Sequence, residues 1–319
     1  MRTLSTLSLL VLVALLAFAG CANPFLSDDQ FAWNEKVRLE TRIVMSDNAS
    51  GLQPAVIFAA GSSPVDFEDY TPGYRETFLA GVFHERGYAV TYYNKRGIGE
   101  STGNWKWSSI EERAEDLLSV VEYVRSQPGI DPERIGIVGH SQGGWVVQLA
   151  GSMDDSIAFV VSLAGPTVSV REQDSHGTES YFRCDGYSEE EIAEELEKLE
   201  TQHERKIAIG SWFPFFQLRY SANIYVYDPR EAISDLTQPT LLAYGESDPL
   251  VPVEPNLVRF REIFPSGPPA NFTWHVVSGG DHSFHVTNSP CVDYYEALEY
   301  PYSEDFVTFL GSWVDGLGI

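Results

Sequence analysis

The sequence predicts an α/β fold: a mostly parallel central sheet covered by helices on both faces, interrupted by one helical insertion. Three observations lead there. Short apolar runs alternate with helical stripes along most of the 319 residues. Some runs, such as Pro54–Ala60, are apolar at every position, the pattern of a strand buried on both faces. One stretch of about 70 residues, between Ala164 and Thr240, breaks the rhythm.

The chain opens with Met1–Gly20: one arginine, then an apolar run of about 15 residues from Leu4. A membrane span needs roughly 20. A charged start, a short apolar segment and small residues beyond it predict a secretory signal over residues 1–20. Phe18-Ala19-Gly20-Cys21 resembles the bacterial lipobox, with Phe where leucine is usual. That resemblance implies lipidation of Cys21 and an extracytoplasmic chain anchored to a bacterial-type membrane. Residues 21–35 then read as a polar tether. Outside the cytoplasm a disulfide is permitted, so Cys184 and Cys291 are either one bridge or two free thiols.

From Lys36 to Met45 apolar and polar residues alternate, which predicts a half-buried strand. Pro54–Ala60 and Ala89–Tyr93 are buried strands flanking a helix over Tyr74–Arg86 that Gly87 stops. Ile110–Gln127 carries apolar residues at helical spacing and ends at Pro128-Gly129. Arg134–Gly139 is a short strand, Gln142–Ala150 a helix, and Ile157–Ala164 another strand. Beyond the insertion come a strand at Thr240–Gly245, a helix near Glu254–Phe264, a strand at Asn271–Val277 and a last helix over Ser303–Trp313. The core therefore falls into 36–165 and 239–319. Residues 166–238 form a helical cap: Ser188 with Glu191 makes a capping box, and Trp212, Phe213, Phe215, Phe216, Tyr220, Tyr225 and Tyr227 cluster after it.

The chemistry concentrates at Gly139-His140-Ser141-Gln142-Gly143. A G-x-S-x-G segment between a strand and a helix presents its serine on a sharp turn, so Ser141 is the candidate nucleophile. Serine needs a base, and the base an orienting acid. Asp248 follows the strand ending at Gly245 and is preferred over Glu246 and Asp235. His282, on the Gly279-Gly280-Asp281 loop, is preferred over His275 and His285. The oxyanion donors are assigned to the N–H of Gln142, after the nucleophile, and of Ser62, after the first buried strand.

With these residues in place, the chain resembles the α/β-hydrolase superfamily, and within it bacterial carboxylesterases related to serine aminopeptidase-like hydrolases. Val56–Asp69, Tyr93–Gly103 and Gly139–Gly144 carry the resemblance. Two departures stand out: Ala60 where histidine is common, and Asn94 where aspartate is usual. The resemblance implies a cofactor-independent serine hydrolase. A small-molecule carboxylic ester is the expected substrate. A peptidase, thioesterase or amidase is the alternative on the same triad, with Glu179, Asp185 and Asp228 as candidate amine-binding acids under the cap. From another class, a noncatalytic binding lipoprotein would need no triad at all.

Composition narrows the partners. The 46 acidic and 21 basic residues leave a net charge of −25, or −26 without residues 1–20, which excludes a nucleic-acid binder. At 43% hydrophobic and 13% aromatic the chain has ample core-forming residues. No dinucleotide or P-loop spacing is present, and the histidines lack metal-ligand spacing.

Overall fold

The structure is a computed structural model and describes residues 30–48, 51–212 and 216–318. The signal over 1–20, Cys21, and Phe213 and Phe215 of the aromatic cluster lie outside the described residues.

Eight strands form one sheet: β1 (Phe31–Trp33), β2 (Arg38–Val44), β3 (Gln53–Ala59), β4 (Ala89–Tyr93), β5 (Ile130–His140), β6 (Val160–Leu163), β7 (Thr240–Gly245) and β8 (Phe272–Val277). Their order is β1-β2-β4-β3-β5-β6-β7-β8. β2 runs antiparallel to both β1 and β4, and all other neighbours are parallel. Helices α1 (Arg75–Phe83), α2 (Ile110–Arg125) and α3 (Gln142–Met153) connect the first half. Between β6 and β7 come α4 (Val170–Cys184), α5 (Glu189–Trp212), α6 (Phe216–Ile224) and α7 (Arg230–Asp235). Helices α8 (Val253–Ile263), α9 (Tyr294–Ala297) and α10 (Glu304–Gly316) complete the chain.

The apolar runs explain the layers. Every residue of β3 is buried. Ala55, Ile57 and Ala59 pack with Leu117, Val121 and Val147 of α2 and α3 on one face. Val56 and Phe58 pack with Phe78, Phe306 and Leu310 of α1 and α10 on the other. Alternate residues thus serve two helical layers, which is why these strands show no polar alternation.

The structure departs from the sequence reading in three places. β1 lies inside the stretch read as a tether, where Phe31–Trp33 pairs with β2. The helix after residue 74 is wound as a π-helix over Arg75–Phe83 with a 3₁₀ turn at His84–Arg86, and Gly87 ends it at φ 86°. β5 starts at Ile130, earlier than read: Ile130 pairs with Gln53, and the register then shifts before Ala55 meets Ile135, across a stretch that holds Pro132, which has no N–H to donate.

Two further features frame the site. The capping box at Ser188 is formed: the Glu191 carboxylate accepts from the Ser188 N–H at 2.8 Å, and the Glu191 N–H donates to Ser188 Oγ at 3.3 Å. A disulfide joins Cys184, at the end of α4, to Cys291, on the loop beyond β8.

Candidate active site

Ser141 links the end of β5 to the start of α3, with φ 56° and ψ −122°. A non-glycine residue with positive φ is strained, and such strain gathers at functional turns. The glycines on either side permit the turn. A Cβ on Gly139 would sit 2.1 Å from the Gly143 carbonyl oxygen. One on Gly143 would sit 2.1 Å from the Ala59 carbonyl oxygen, so α3 crosses β3 closely only with glycine there.

Asp248 and His282 arrive from the loops after β7 and β8. Asp248 is buried, and its Oδ1 accepts the N–H groups of Leu250 at 2.8 Å and Val251 at 2.9 Å. Its Oδ2 lies 2.7 Å from His282 Nδ1. The carboxylate accepts, so Nδ1 carries the proton and Nε2 is left as the base. Burial pulls the His282 pKa down, but the charge and hydrogen bond of Asp248, aided by Asp281, outweigh it and hold the pKa above the ordinary histidine value. Ser141 and His282 line one cavity of about 300 Å³ together with Ser62 and Tyr70. Gln142 opens α3, so its N–H has no acceptor within that helix, and Ser62 lies beside Ser141.

The rejected acids and histidines are engaged elsewhere. Glu246 accepts from the Gly279 N–H at 2.8 Å and from Ser278 Oγ at 3.0 Å. His285 Nδ1 faces Asp281 at 3.3 Å, and His275 stacks on Phe309 with ring centroids 3.7 Å apart. Glu179 pairs with Arg183 and Asp228 with Arg259. Among the described residues no group of three or more His, Cys, Asp or Glu is placed to hold a metal.

Three residues that the sequence reading passed over tie these loops together. His140 Nε2 lies 2.8 Å from the His282 carbonyl oxygen, which can only accept, so that nitrogen carries the proton. Burial, reinforced by the nearby His282, lowers the His140 pKa to about 3 and keeps the ring neutral. Its Nδ1 therefore accepts from the Tyr70 hydroxyl at 2.6 Å, whose oxygen accepts from the Gly61 N–H at 3.0 Å. One chain of hydrogen bonds thus runs from the His282 loop through the serine turn to the loop bearing Ser62. Lys95 holds that loop from below, donating from Nζ to the carbonyls of Gly61 and Ser63. Burial, with Arg113 nearby, lowers the Lys95 pKa to about 7. No local spacing marks these roles: Tyr70 and His140 are 70 residues apart.

Asn94 also has a physical reason. Its Nδ2 donates to Glu40 Oε2 at 2.9 Å and to Asp66 Oδ2 at 2.6 Å, where an aspartate would place a third negative charge. Its Oδ1 accepts the Phe67 N–H at 2.9 Å.

The sheet order, with a strained turn after β5 and helices on both faces, is that of the α/β-hydrolase fold. Solved structures support the fold. Est1E from Butyrivibrio proteoclasticus with ferulic acid bound aligns with 90% of this chain and 98% of its own, at TM-score 0.58 and 17% identity. The Pyrococcus furiosus esterase Pf2001 aligns with 90% of this chain and 89% of its own, at TM-score 0.58 and 17% identity. Residues 76–300 match the profile of the prolyl oligopeptidase family, Peptidase_S9, and the chain belongs to that family. The matched span contains Ser141, Asp248 and His282. The thiohydrolase aneE of Aspergillus aculeatus is 31% identical over 138 residues, 43% of this chain and 41% of its own. The bifunctional esterase/perhydrolase DCH of Acinetobacter calcoaceticus is 26% identical over 216 residues, 58% of this chain and 73% of its own. The chain spans less than half the length of the first curated relatives it matches.

Proposed function

We propose that the protein is a serine hydrolase that cleaves carboxylic esters of small molecules through Ser141, His282 and Asp248. One observation carries this reading: the Asp248–His282 pair at 2.7 Å opens onto a cavity also lined by the strained Ser141. In the first step Ser141 Oγ attacks the ester carbonyl and gives its proton to His282 Nε2. Asp248 holds the ring and stabilises its positive form. The negative oxygen that develops is met by the N–H groups of Ser62 and Gln142. His282 then returns the proton to the leaving alcohol, and the acyl group stays on Ser141. Water, deprotonated by the same histidine, attacks the acyl-enzyme and frees the acid. Every proton passes through His282, and no cofactor is required.

The family's peptidase members favour a second reading, in which the same machinery cleaves an amide. A thioester is the third substrate open to this chemistry, and the similarity to the thiohydrolase aneE points to it. A panel of p-nitrophenyl esters of increasing acyl length, set against aminoacyl p-nitroanilides, separates them. Turnover of esters with no turnover of anilides supports the ester reading; the reverse contradicts it. We further read residues 166–238 as a cap over the site. Residues 1–20 are read as a lipoprotein-type signal, with Cys21 as the lipid attachment point on an extracytoplasmic membrane face. Membrane association that survives Cys21→Ser would contradict the anchor.

A further inference from the structure

Two cavities meet at Ser141. The first, of about 300 Å³, is lined by His282, Ser283, Tyr70, Thr71 and Asp69. The second, of about 210 Å³, lies on the side of α4 and α6 and is lined by Trp145, Val170, Asp174, Tyr220, Ile224 and Tyr225. Ser62, Ser141 and Leu250 border both. The chemistry divides them. The leaving group must take its proton from His282, and only the first of the two is lined by that residue. The acyl group, which remains on the serine, then extends into the second.

That second cavity has an uneven wall. Among the described residues, Asp174 is the one charged side chain that lines it. Asp174 is held in place: its Oδ2 accepts from His203 Nε2 at 2.7 Å and from the Tyr225 hydroxyl at 3.2 Å. His203 itself is fully buried, so this support is rigid. Because both bonds converge on Oδ2, the other oxygen is the one left for a ligand. Three aromatic side chains, Trp145, Tyr220 and Tyr225, line the same cavity, and aromatic faces attract cations. Arg113 faces the Tyr220 ring at 6.0 Å and donates to the side chain of Gln142 in the cavity wall, and Lys206 faces the Tyr225 ring at 6.0 Å; neither cation itself lines the cavity. Val170 and Ile224 supply apolar wall for a methylene stem. A carboxylate fixed by two donors, inside an aromatic and otherwise uncharged pocket, suits a positively charged group.

We propose that this cavity binds the acyl half of the substrate and selects acyl groups that carry an ammonium centre, recognised by Asp174 and the rings of Trp145, Tyr220 and Tyr225. The proposal rests on the serine-hydrolase reading above.

The test compares two p-nitrophenyl esters with the same leaving group. One carries 4-(trimethylammonio)butanoate, the other the uncharged isostere 5,5-dimethylhexanoate. The native enzyme is expected to favour the cationic ester in kcat/KM by about threefold to tenfold, the value of a charge contact at a part-exposed carboxylate. Asp174→Asn is expected to lower that ratio by a similar factor, while Asp69→Asn leaves the ratio in place. A native ratio at or below one overturns the proposal. So does a ratio unchanged by Asp174→Asn, or one that collapses in Asp69→Asn instead. Ratios read the selectivity even where a variant loses overall rate. Failure of the underlying reading looks different: neither ester is turned over and a fluorophosphonate does not label Ser141, which removes both proposals at once. Labelling of Ser141 with a ratio at or below one removes this one alone.

Discussion

At the scale of single residues, the site places opposite demands on its charged groups. On the proposed mechanism His282 must be neutral to act as a base, yet Asp248 favours its protonated form. Its pKa lies above the ordinary value of 6.5, so the acid limb of kcat/KM is expected to turn above pH 6.5. A midpoint at or below that value in an initial-rate profile would contradict the assignment. Stability runs the other way. Protonated His282 stabilises the fold below the unfolded-state pKa, and that contribution is lost as pH rises through the raised folded-state pKa. On the proposed mechanism, activity is expected to rise over the window in which this stabilisation is lost. Lys95 offers a second test. It anchors the carbonyls on both sides of Ser62, so Lys95→Met should let the oxyanion donor drift. We expect kcat to fall roughly tenfold or more, with KM changed far less, because the lost interaction matters most in the transition state. Steady-state kinetics showing a change in KM alone would contradict a positioning role.

At the scale of elements, the disulfide links two pieces that the sheet does not. Cys184 closes α4, and Cys291 follows the catalytic histidine loop, 107 residues later in the chain. Closing a loop of that length removes much chain entropy from the unfolded state, worth roughly 4–5 kcal/mol in the chain-entropy model. Mild reduction is expected to expose α4–α6 to limited proteolysis before the sheet, as fragments read by mass spectrometry. Equal cleavage with and without reductant would contradict the link. The elements differ in how far the sequence reveals them. β3, β4 and β7 are runs of apolar residues, so they were legible to within a residue. β1 is three residues long and exists only by pairing with β2, so no period marks it. Helix α4 buries only Val170 and Gly177, too little for an apolar stripe. The site shows the same division. Ser141, Asp248 and His282 each follow an apolar strand with a turn signal, which is how the sequence singles out three residues that the structure brings together. Tyr70, His140, Lys95 and Asp174 acquire their roles from partners distant in the chain, which a single sequence does not display.

At the scale of the whole molecule, the chain carries a net charge of −25. Most ion pairs, such as Arg42 with Glu68 and Lys198 with Glu195, are exposed and contribute little each. Net repulsion should therefore outweigh them at low ionic strength, where the screening length reaches about 30 Å at 0.01 M. The melting temperature is expected to rise between 0.01 and 0.5 M NaCl. A fall would mean that the ion pairs dominate. The hydrolase reading brings together a sheet whose strand ends carry a strained serine, a buried acid and a histidine aimed at a shared cavity. The most direct measurement is to treat the native protein with a fluorophosphonate and locate the adduct by mass spectrometry. The account predicts a single adduct on Ser141, lost in Ser141→Ala and strongly slowed in His282→Ala. A folded native protein that stays unlabelled, or that carries the adduct on another residue, would contradict it.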